Sequence, residues 1–343
     1  MSDVLKKITP LKKTLCVADV NPENILAALG NAGQPIILKG LVSHWPVVQK
    51  ALESDQAICD YLLSFYQGQP VLFYEAKSES GGRFAYTIDG KNLDFKTQRA
   101  PLNYIFDHLL NAKQQVDPDI VYVGSTAVDR YLPGMREHND LPLQGLNPLV
   151  SIWLGNRTKA ATHFDSPDNI ACCISGRRVF TLFPPDQLEN LYIGPLHLTP
   201  SGQAISLVDF DNPDFEKFPR FRYALEHAQV AELEPGDALF VPSMWWHQVE
   251  SKQDLNVLIN YWWRNDKPFM DSPLNALFHA ILSIRELSQK EKEAWKGLFD
   301  YYIFSEQAEK YSHIAEGARG FLDPLDEVSA RKLRAIINNN LNK

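Results

Sequence analysis

A chain of 343 residues, 45% hydrophobic and 22% charged, carries enough apolar material for a substantial core, which excludes global disorder. A formal charge of −8, from 34 basic and 42 acidic residues, gives no general attraction to phosphate backbones and disfavours nucleic acid as a partner. No apolar run approaches the roughly 18 residues needed to cross a bilayer, so no membrane partner is expected.

The opening stretch MSDVLKKITPLKKTL has basic residues but neither a continuous apolar segment nor a small-residue cleavage site, and reads as a cytoplasmic start. Residues 1–115 are mixed. Residues 35–40 (PIILKG) have a buried-strand pattern, and residues 41–52 place Trp45, Val48 and Leu52 at helical spacing. Residues 71–74 predict a strand and residues 102–110 a helix. A β-rich stretch begins at residues 120–123. From about residue 148 to 263, runs rich in Val, Ile, Phe and Tyr recur at 149–154, 170–174, 179–183, 238–241 and 257–262, separated by Gly, Pro, Asn or Asp. No long helical pattern intervenes, which argues against a parallel doubly wound sheet and for an antiparallel barrel or jelly roll.

Beyond residue 265 the texture becomes helical. Ser272-Pro273 is a helix start, followed by Leu274, Leu277, Phe278, Ile281 and Leu282 at amphipathic spacing. Asp323-Pro324 opens a second helix carrying Leu325, Val328, Ile336, Ile337 and Leu341. These stripes pack either on the barrel or on a second copy. The expected organisation is residues 1–265 as one domain, with its barrel core at about 120–265, and residues 266–343 as a helical segment.

Cys16, Cys59, Cys172 and Cys173 are too few for a disulfide framework in a chain of this length. Adjacent residues on a strand point to opposite faces, so Cys172 and Cys173 read as two small packing residues.

Residues 161–168 read ATHFDSPD. On a strand, His163 and Asp165 project to one face and can offer an imidazole and a carboxylate to one ion. His247, in PGDALFVPSMWWHQVES, begins an extended run after the turn Pro235-Gly236-Asp237 and is a candidate third ligand. Two His and one carboxylate on one side of an ion leave open positions suited to Fe(II) and O₂ chemistry. The His-x-Asp spacing alone is weak: nine His at this acidic content give about one chance match, and His138-Asn139-Asp140 is a second copy in a Pro/Gly-containing polar stretch without strand alternation. The competing reading of His163 is an imidazole hydrogen-bonded to a nearby carboxylate at a barrel rim. His44 reads as a satisfied structural histidine, the pair Trp245-Trp246 as packing residues, and residues 209–214 as a solvated acidic turn around Asn212-Pro213.

Four collinear segments, PIILKGLVSHWP, THFDSPDNIACCISGRRVFTLFPPDQLENLY, VDFDNPDFEKFPRF and PGDALFVPSMWWHQVES, resemble the JmjC-type, cupin-like Fe(II)- and 2-oxoglutarate-dependent oxygenases, most closely the factor-inhibiting-HIF-like asparaginyl hydroxylase group. The resemblance implies a mainly β fold with helices (α+β), a double-stranded β-helix or jelly roll. It implies His163, Asp165 and His247 as iron ligands and catalytic centre. It implies Arg178 as the cation for the distal carboxylate of 2-oxoglutarate, Asn169, Asn260 and Tyr122 as co-substrate contacts, and Trp262 as a wall of that pocket. Arg178 stands where the known animal enzyme of the group has Lys, and Ala160 where it has Thr. Arg177 is the alternative cation, because strand parity is undecided if Gly176 marks a bulge.

Fe(II), 2-oxoglutarate and O₂ are thus the implied cofactors, and hydroxylation of a protein side chain, with succinate and CO₂ as by-products, is the implied reaction. Phe164 and the Trp246 region are expected to exclude water. A tRNA-base or small-molecule hydroxylase of the same fold is the alternative substrate reading, and a non-catalytic metal-holding module the alternative of another class. The loops expected to choose the substrate are those around residues 129–145 and 188–200. The group implies pairing of two chains through the C-terminal helices, hence a homodimer.

Overall fold

Gly and Pro punctuation cuts the β-rich stretch into strands that alternate between two facing sheets. The computed structural model describes residues 11–342 except 31, 88–90, 144, 200–201, 307–309 and 316. Most of the opening stretch read above as a cytoplasmic start therefore lies outside the described residues. The strands are β1 (Lys12–Lys13), β2 (Leu15–Val17), β3 (Ile36–Leu38), β4 (Val71–Ala76), β5 (Arg83–Phe84), β6 (Lys96–Ala100) and β7 (Ile120–Ala127). They continue with β8 (Leu149–Gly155), β9 (Lys159–Phe164), β10 (Asp168–Ser175), β11 (Arg178–Phe183), β12 (Gln229–Leu233), β13 (Ala238–Val241), β14 (Trp246–Ser251) and β15 (Asn256–Trp263).

The smaller sheet has the order β1-β12-β11-β14-β9-β5 and the larger β2-β3-β13-β10-β15-β8-β7-β4-β6. From β8 to β11 the chain changes sheet at every step. It stays in the smaller sheet for β12, then alternates again through β13, β14 and β15. Antiparallel pairing of strands distant in sequence, such as β9 with β14 and β10 with β15, makes this an α+β jelly roll of the double-stranded β-helix type.

Strand periodicity decides what each face holds. On the outer face of the larger sheet, Ile170, Cys172 and Ile174 of β10 join Val257, Ile259, Tyr261 and Trp263 of β15 in the main core. On the face between the sheets, Ala171 and Cys173 meet Leu258, Phe180 and Leu182. The two sulfur atoms thus belong to different cores.

Three helices cover the outer face: α1 (Pro46–Glu53), α2 (Asp55–Leu63) and α3 (Leu102–Ala112). Their Val47, Val48, Ile58, Leu62, Ile105, Phe106 and Leu109 are buried in the main core, each large apolar side chain contributing about 1.5–3 kcal/mol. The helix expected over residues 41–52 starts only at Pro46. Proline fits the first helical turn, where its missing N–H is no loss, and it forces Trp45 before it into extended backbone at φ −65, ψ 135. A buried carboxylate then ties β3 to the turn before β13: Asp237 accepts from Lys39 Nζ at 2.8 Å and from the backbone N–H of Gly40 and Glu234, each at 3.0 Å.

Residues divide into two compact units, Met1–Arg264 and Asn265–Lys343. The second contains α4 (Pro273–Ser283), α5 (Gln289–Phe299) and α6 (Glu327–Leu341). The helix expected from Asp323-Pro324 begins later. Asp326 accepts from Ser329 N, and the Ser329 side chain accepts from Asp326 N, a reciprocal cap that fixes the start. Among the described residues of this unit only Ala330 is buried, while Leu277, Phe278, Leu282, Ile336, Ile337 and Leu341 remain exposed. No helix among the described residues is long and apolar enough to cross a membrane.

Candidate metal centre

β9 and β14 are antiparallel neighbours, and their register sets His163 directly opposite His247. The two imidazole centroids lie 4.4 Å apart. β9 ends at Phe164, and Asp165 follows it with its Oδ2 3.7 Å from His247 Nε2. One ligand atom from each of the three residues falls within 4.8 Å of the others, the only such cluster among the described residues. A register shift between His247 and Val249 marks a bulge beside the site, the kind of irregularity that re-aims side chains.

Both rings are oriented from behind. His163 Nδ1 lies 2.8 Å from the Ala161 carbonyl and His247 Nδ1 2.9 Å from the Trp245 carbonyl. A carbonyl only accepts, so each Nδ1 carries the proton and each Nε2 lone pair is left for a metal. Burial, followed by the neighbouring His163, pushes His247 down to about 4, which keeps its ring neutral and available as a donor. Two imidazoles and a carboxylate on one side suit a divalent iron better than a closed structural site.

His138 joins no such cluster. In the His138-Asn139-Asp140 segment, Asn139 is buried and accepts from Val47 N at 2.9 Å, while Asp140 accepts from Tyr261 Oη and Arg136 Nη2, each at 2.8 Å. The segment is a structural clamp.

The triad opens into a cavity of about 450 Å³ between the sheets, which Arg178, Asn169, Asn260, Tyr122 and Trp262 also line. Register separates Arg178 from Arg177. Leu182 pairs with His247, so Arg178, Phe180 and Leu182 share the inward parity of β11. Gly176, at φ 77, is the corner where the chain leaves the larger sheet for the smaller one, and Arg177 beside it is exposed. Arg178 is 2% exposed, and burial lowers its pKa from the usual guanidinium value without discharging it. Burial raises the Tyr122 phenol, and Arg178 opposes that shift.

The cavity's polar atoms are incompletely satisfied. Asn260 Nδ2 donates to Asn169 Oδ1 at 2.7 Å, but Asn260 Oδ1, Arg178 Nε, Trp153 Nε1 and Trp262 Nε1 have no hydrogen-bond partner among the described residues. Buried orphans of this kind are uncommon in a native fold. Here a guanidinium and two indole N–H donors line one chamber beside a metal triad, which fits a chelating dicarboxylate.

Several lining residues escaped sequence reasoning. Trp153 stacks on Tyr122 at 5.8 Å and meets Trp262 edge-on at 5.6 Å. Tyr74, Phe84 and Phe95 extend the aromatic wall, and Gln203 and Ile205 line another part of the cavity. Only strand alternation at residues 149–154 could have singled out Trp153, since it sets that residue on the opposite face from Ile152 and Leu154. Phe164 and Trp246 do not line the cavity. Their rings pack edge to face at 4.9 Å and Trp246 belongs to a separate apolar cluster, because they have the opposite strand parity from the ligands. Of the two expected selecting loops, residues 129–145 bury Leu132, Met135, Leu141 and Leu143 in the main core. The second loop runs on toward Gln203 and Ile205, and Tyr86 Oη donates to its Leu198 carbonyl at 2.8 Å.

A family model described as a cupin-like domain matches residues 22–268. The chain is 28% identical to HSPB1-associated protein 1 of Homo sapiens over 72% of its own length and 51% of that protein. It is 34% identical to Lysine-specific demethylase JMJ31 of Arabidopsis thaliana over 34% of its length and 21% of the relative. It is 38% identical to tRNA wybutosine-synthesizing protein 5 of Gallus gallus over 30% of each chain. The chain thus spans about half or less of these curated relatives.

Proposed function

The chain belongs to the cupin-like domain family, and from that membership and the geometry of its cavity we propose that it is an Fe(II)- and 2-oxoglutarate-dependent dioxygenase that hydroxylates a C–H bond. The observation that carries this reading is the meeting of His163, Asp165 and His247 at the edge of a cavity whose buried Arg178 has an unsatisfied Nε. A non-catalytic metal-holding module needs no buried cation beside its metal ligands.

Iron(II) with 2-oxoglutarate, when bound, supplies activation of O₂ and insertion of one oxygen atom into the substrate, with release of succinate and CO₂. His163, Asp165 and His247 would hold the metal. Arg178 and Tyr122 would take the distal carboxylate, Arg178 through a charge-assisted contact. Asn169 and Asn260, coupled through their own hydrogen bond, present the remaining amide groups. Trp262, Trp153 and Phe84 exclude water. The protein's part is orientation and dryness.

For the substrate, we favour a protein side chain bearing a carboxamide, as in asparaginyl hydroxylation. Among the described residues, Asp165 is the only acidic one lining the cavity, so a cationic lysine side chain finds no counter-charge there beyond the metal's own ligand. Gln203 lines the cavity, and its amide makes no hydrogen bond with the other described residues, matching the donor and acceptor of a carboxamide. Likeness to a relative named as a tRNA wybutosine-synthesizing protein supports a tRNA base as second reading.

Purified protein with Fe(II), 2-oxoglutarate and O₂ should release succinate, and the release should rise with the true substrate. Mass spectrometry of a protein lysate and of total tRNA after incubation separates the two substrates by which of them gains one oxygen atom. No succinate under any condition, and no visible charge-transfer band with Fe(II) and 2-oxoglutarate under anaerobic conditions, would leave only the scaffold reading.

The exposed apolar faces of α4 and α6 support a further assignment for the second unit, self-association of two copies. A pair related by a two-fold axis would present each stripe to its own like.

A further inference from the structure

The three ligands are not held equally. His163 and His247 sit within β9 and β14, where ladder hydrogen bonds fix their backbones. Asp165 lies past the end of β9, and its carboxylate makes no hydrogen bond with the described residues. Another device must set its position, and the turn over residues 242–245, between β13 and β14, touches it. Met244 N donates to the Asp165 carbonyl at 2.9 Å. Ser243 N donates to Asp168 Oδ1 at 2.9 Å, and Ser243 Oγ donates to the Ser166 carbonyl at 2.6 Å. The same turn carries the Trp245 carbonyl that orients the His247 ring.

Two further features tie this turn to the site. Met244 has φ 67, a left-handed conformation that residues with a Cβ rarely adopt and that persists only when the surroundings over-determine it. Asp168, the acceptor for Ser243 N, opens β10 and pairs with Trp263 of β15, so the turn is anchored to the larger sheet while it grips the ligand loop of the smaller one.

We propose that the Ser243–Met244 turn is the positioning device of the metal centre, with Ser243 a positioning residue that sets the Asp165 carboxylate against His247. The proposal rests on the reading of His163, Asp165 and His247 as metal ligands. Ser243 makes no hydrogen bond to a ligand side chain among the described residues. It fixes the loop from which one ligand hangs, in the way that outer hydrogen bonds commonly tune metal affinity.

The test uses Co(II) as probe on the full, metal-free chain, reading dissociation constant, visible absorption and thermal midpoint. Ser243→Ala is expected to weaken Co(II) binding about tenfold to hundredfold and to change the shape of the cobalt absorption, with the metal-free midpoint little moved. Ser243→Thr, which keeps a hydroxyl, is expected to restore both affinity and spectrum. Asp168→Asn, which keeps an oxygen acceptor but loses the charge, should weaken binding in the same direction, so a poorly folded Ser243→Ala does not end the test. Native affinity and spectrum in Ser243→Ala, or in Asp168→Asn where the alanine variant does not fold, would overturn the positioning role. So would a loss of affinity matched by an equal loss of metal-free stability with the spectrum unchanged. Failure of the wild-type chain to bind Co(II) would instead overturn the ligand assignment.

Discussion

His163 and His247, far apart in the chain, are partners in one rung of an antiparallel ladder, with ring centroids 4.4 Å apart. The candidate metal centre is therefore a property of strand register. A slip of one residue would turn one imidazole to the opposite face, toward the cluster that holds Trp246.

His163→Ala leaves an imidazole and a carboxylate, too few donors to hold iron on one side. The variant is expected to lose 2-oxoglutarate turnover completely, measured as succinate release at saturating Fe(II). Turnover at the wild-type rate would remove His163 from the ligand set.

Arg178→Ala should raise the 2-oxoglutarate concentration needed for half-maximal turnover at least about tenfold, since a charge-assisted hydrogen bond contributes roughly 1.5–3 kcal/mol. Arg177→Ala, at an exposed corner, should leave it unchanged. The reverse pattern in a concentration series would exchange their roles.

Burial pushes the thiols of Cys59 and Cys173 up to about 12 and that of Cys172 well above its ordinary value, so all three stay protonated in mildly alkaline buffer. Only Cys16 is exposed. A chromogenic disulfide reagent should titrate one thiol in the native protein and four in denaturant, and three or four reactive thiols under native conditions would contradict the packing of both cores.

Gly176→Ala should cost at least about 2 kcal/mol, from backbone strain and a displaced buried amide. A Cβ there would stand 2.2 Å from Asn256 Oδ1, at a backbone φ of 77. Urea unfolding measures the change, and a midpoint equal to wild type would mean that the corner relaxes freely.

For the second unit, sedimentation should show a dimer that Leu282→Glu together with Ile337→Glu converts to a monomer. A wild-type monomer at high concentration would remove the proposed self-association.

Much of the jelly roll could be read from residues 149–154, 238–241 and 257–262, because buried strands there are short, β-branched and bounded by turn residues. The candidate ligand pair His163 and Asp165 was legible as a spacing, yet its twin His138-Asn139-Asp140 has the same spacing. What separates them is tertiary: Asn139 caps α1 and Asp140 holds Tyr261, neither of which is adjacent in sequence. Arg178 could not be told from Arg177 because the corner at Gly176 resets the parity of everything after it. Trp153, Tyr74 and Phe84 form one wall only because β4, β5, β7 and β8 meet, and no local pattern announces such a meeting. Asp326, and not Asp323, starts α6 because capping depends on which side chain reaches the third backbone N–H, a contest between near neighbours that composition leaves open.

The rung that joins β9 to β14 has a consequence for synthesis. A ribosome that has delivered His163 and Asp165 has made a two-pronged site with no third donor. That site stays incomplete until β14 has left the exit tunnel and found its place between β9 and β11. On the proposed ligand assignment, metal capture by the nascent chain is thereby deferred to the closing stages of assembly, and a translation product that stops before β14 lacks the third donor.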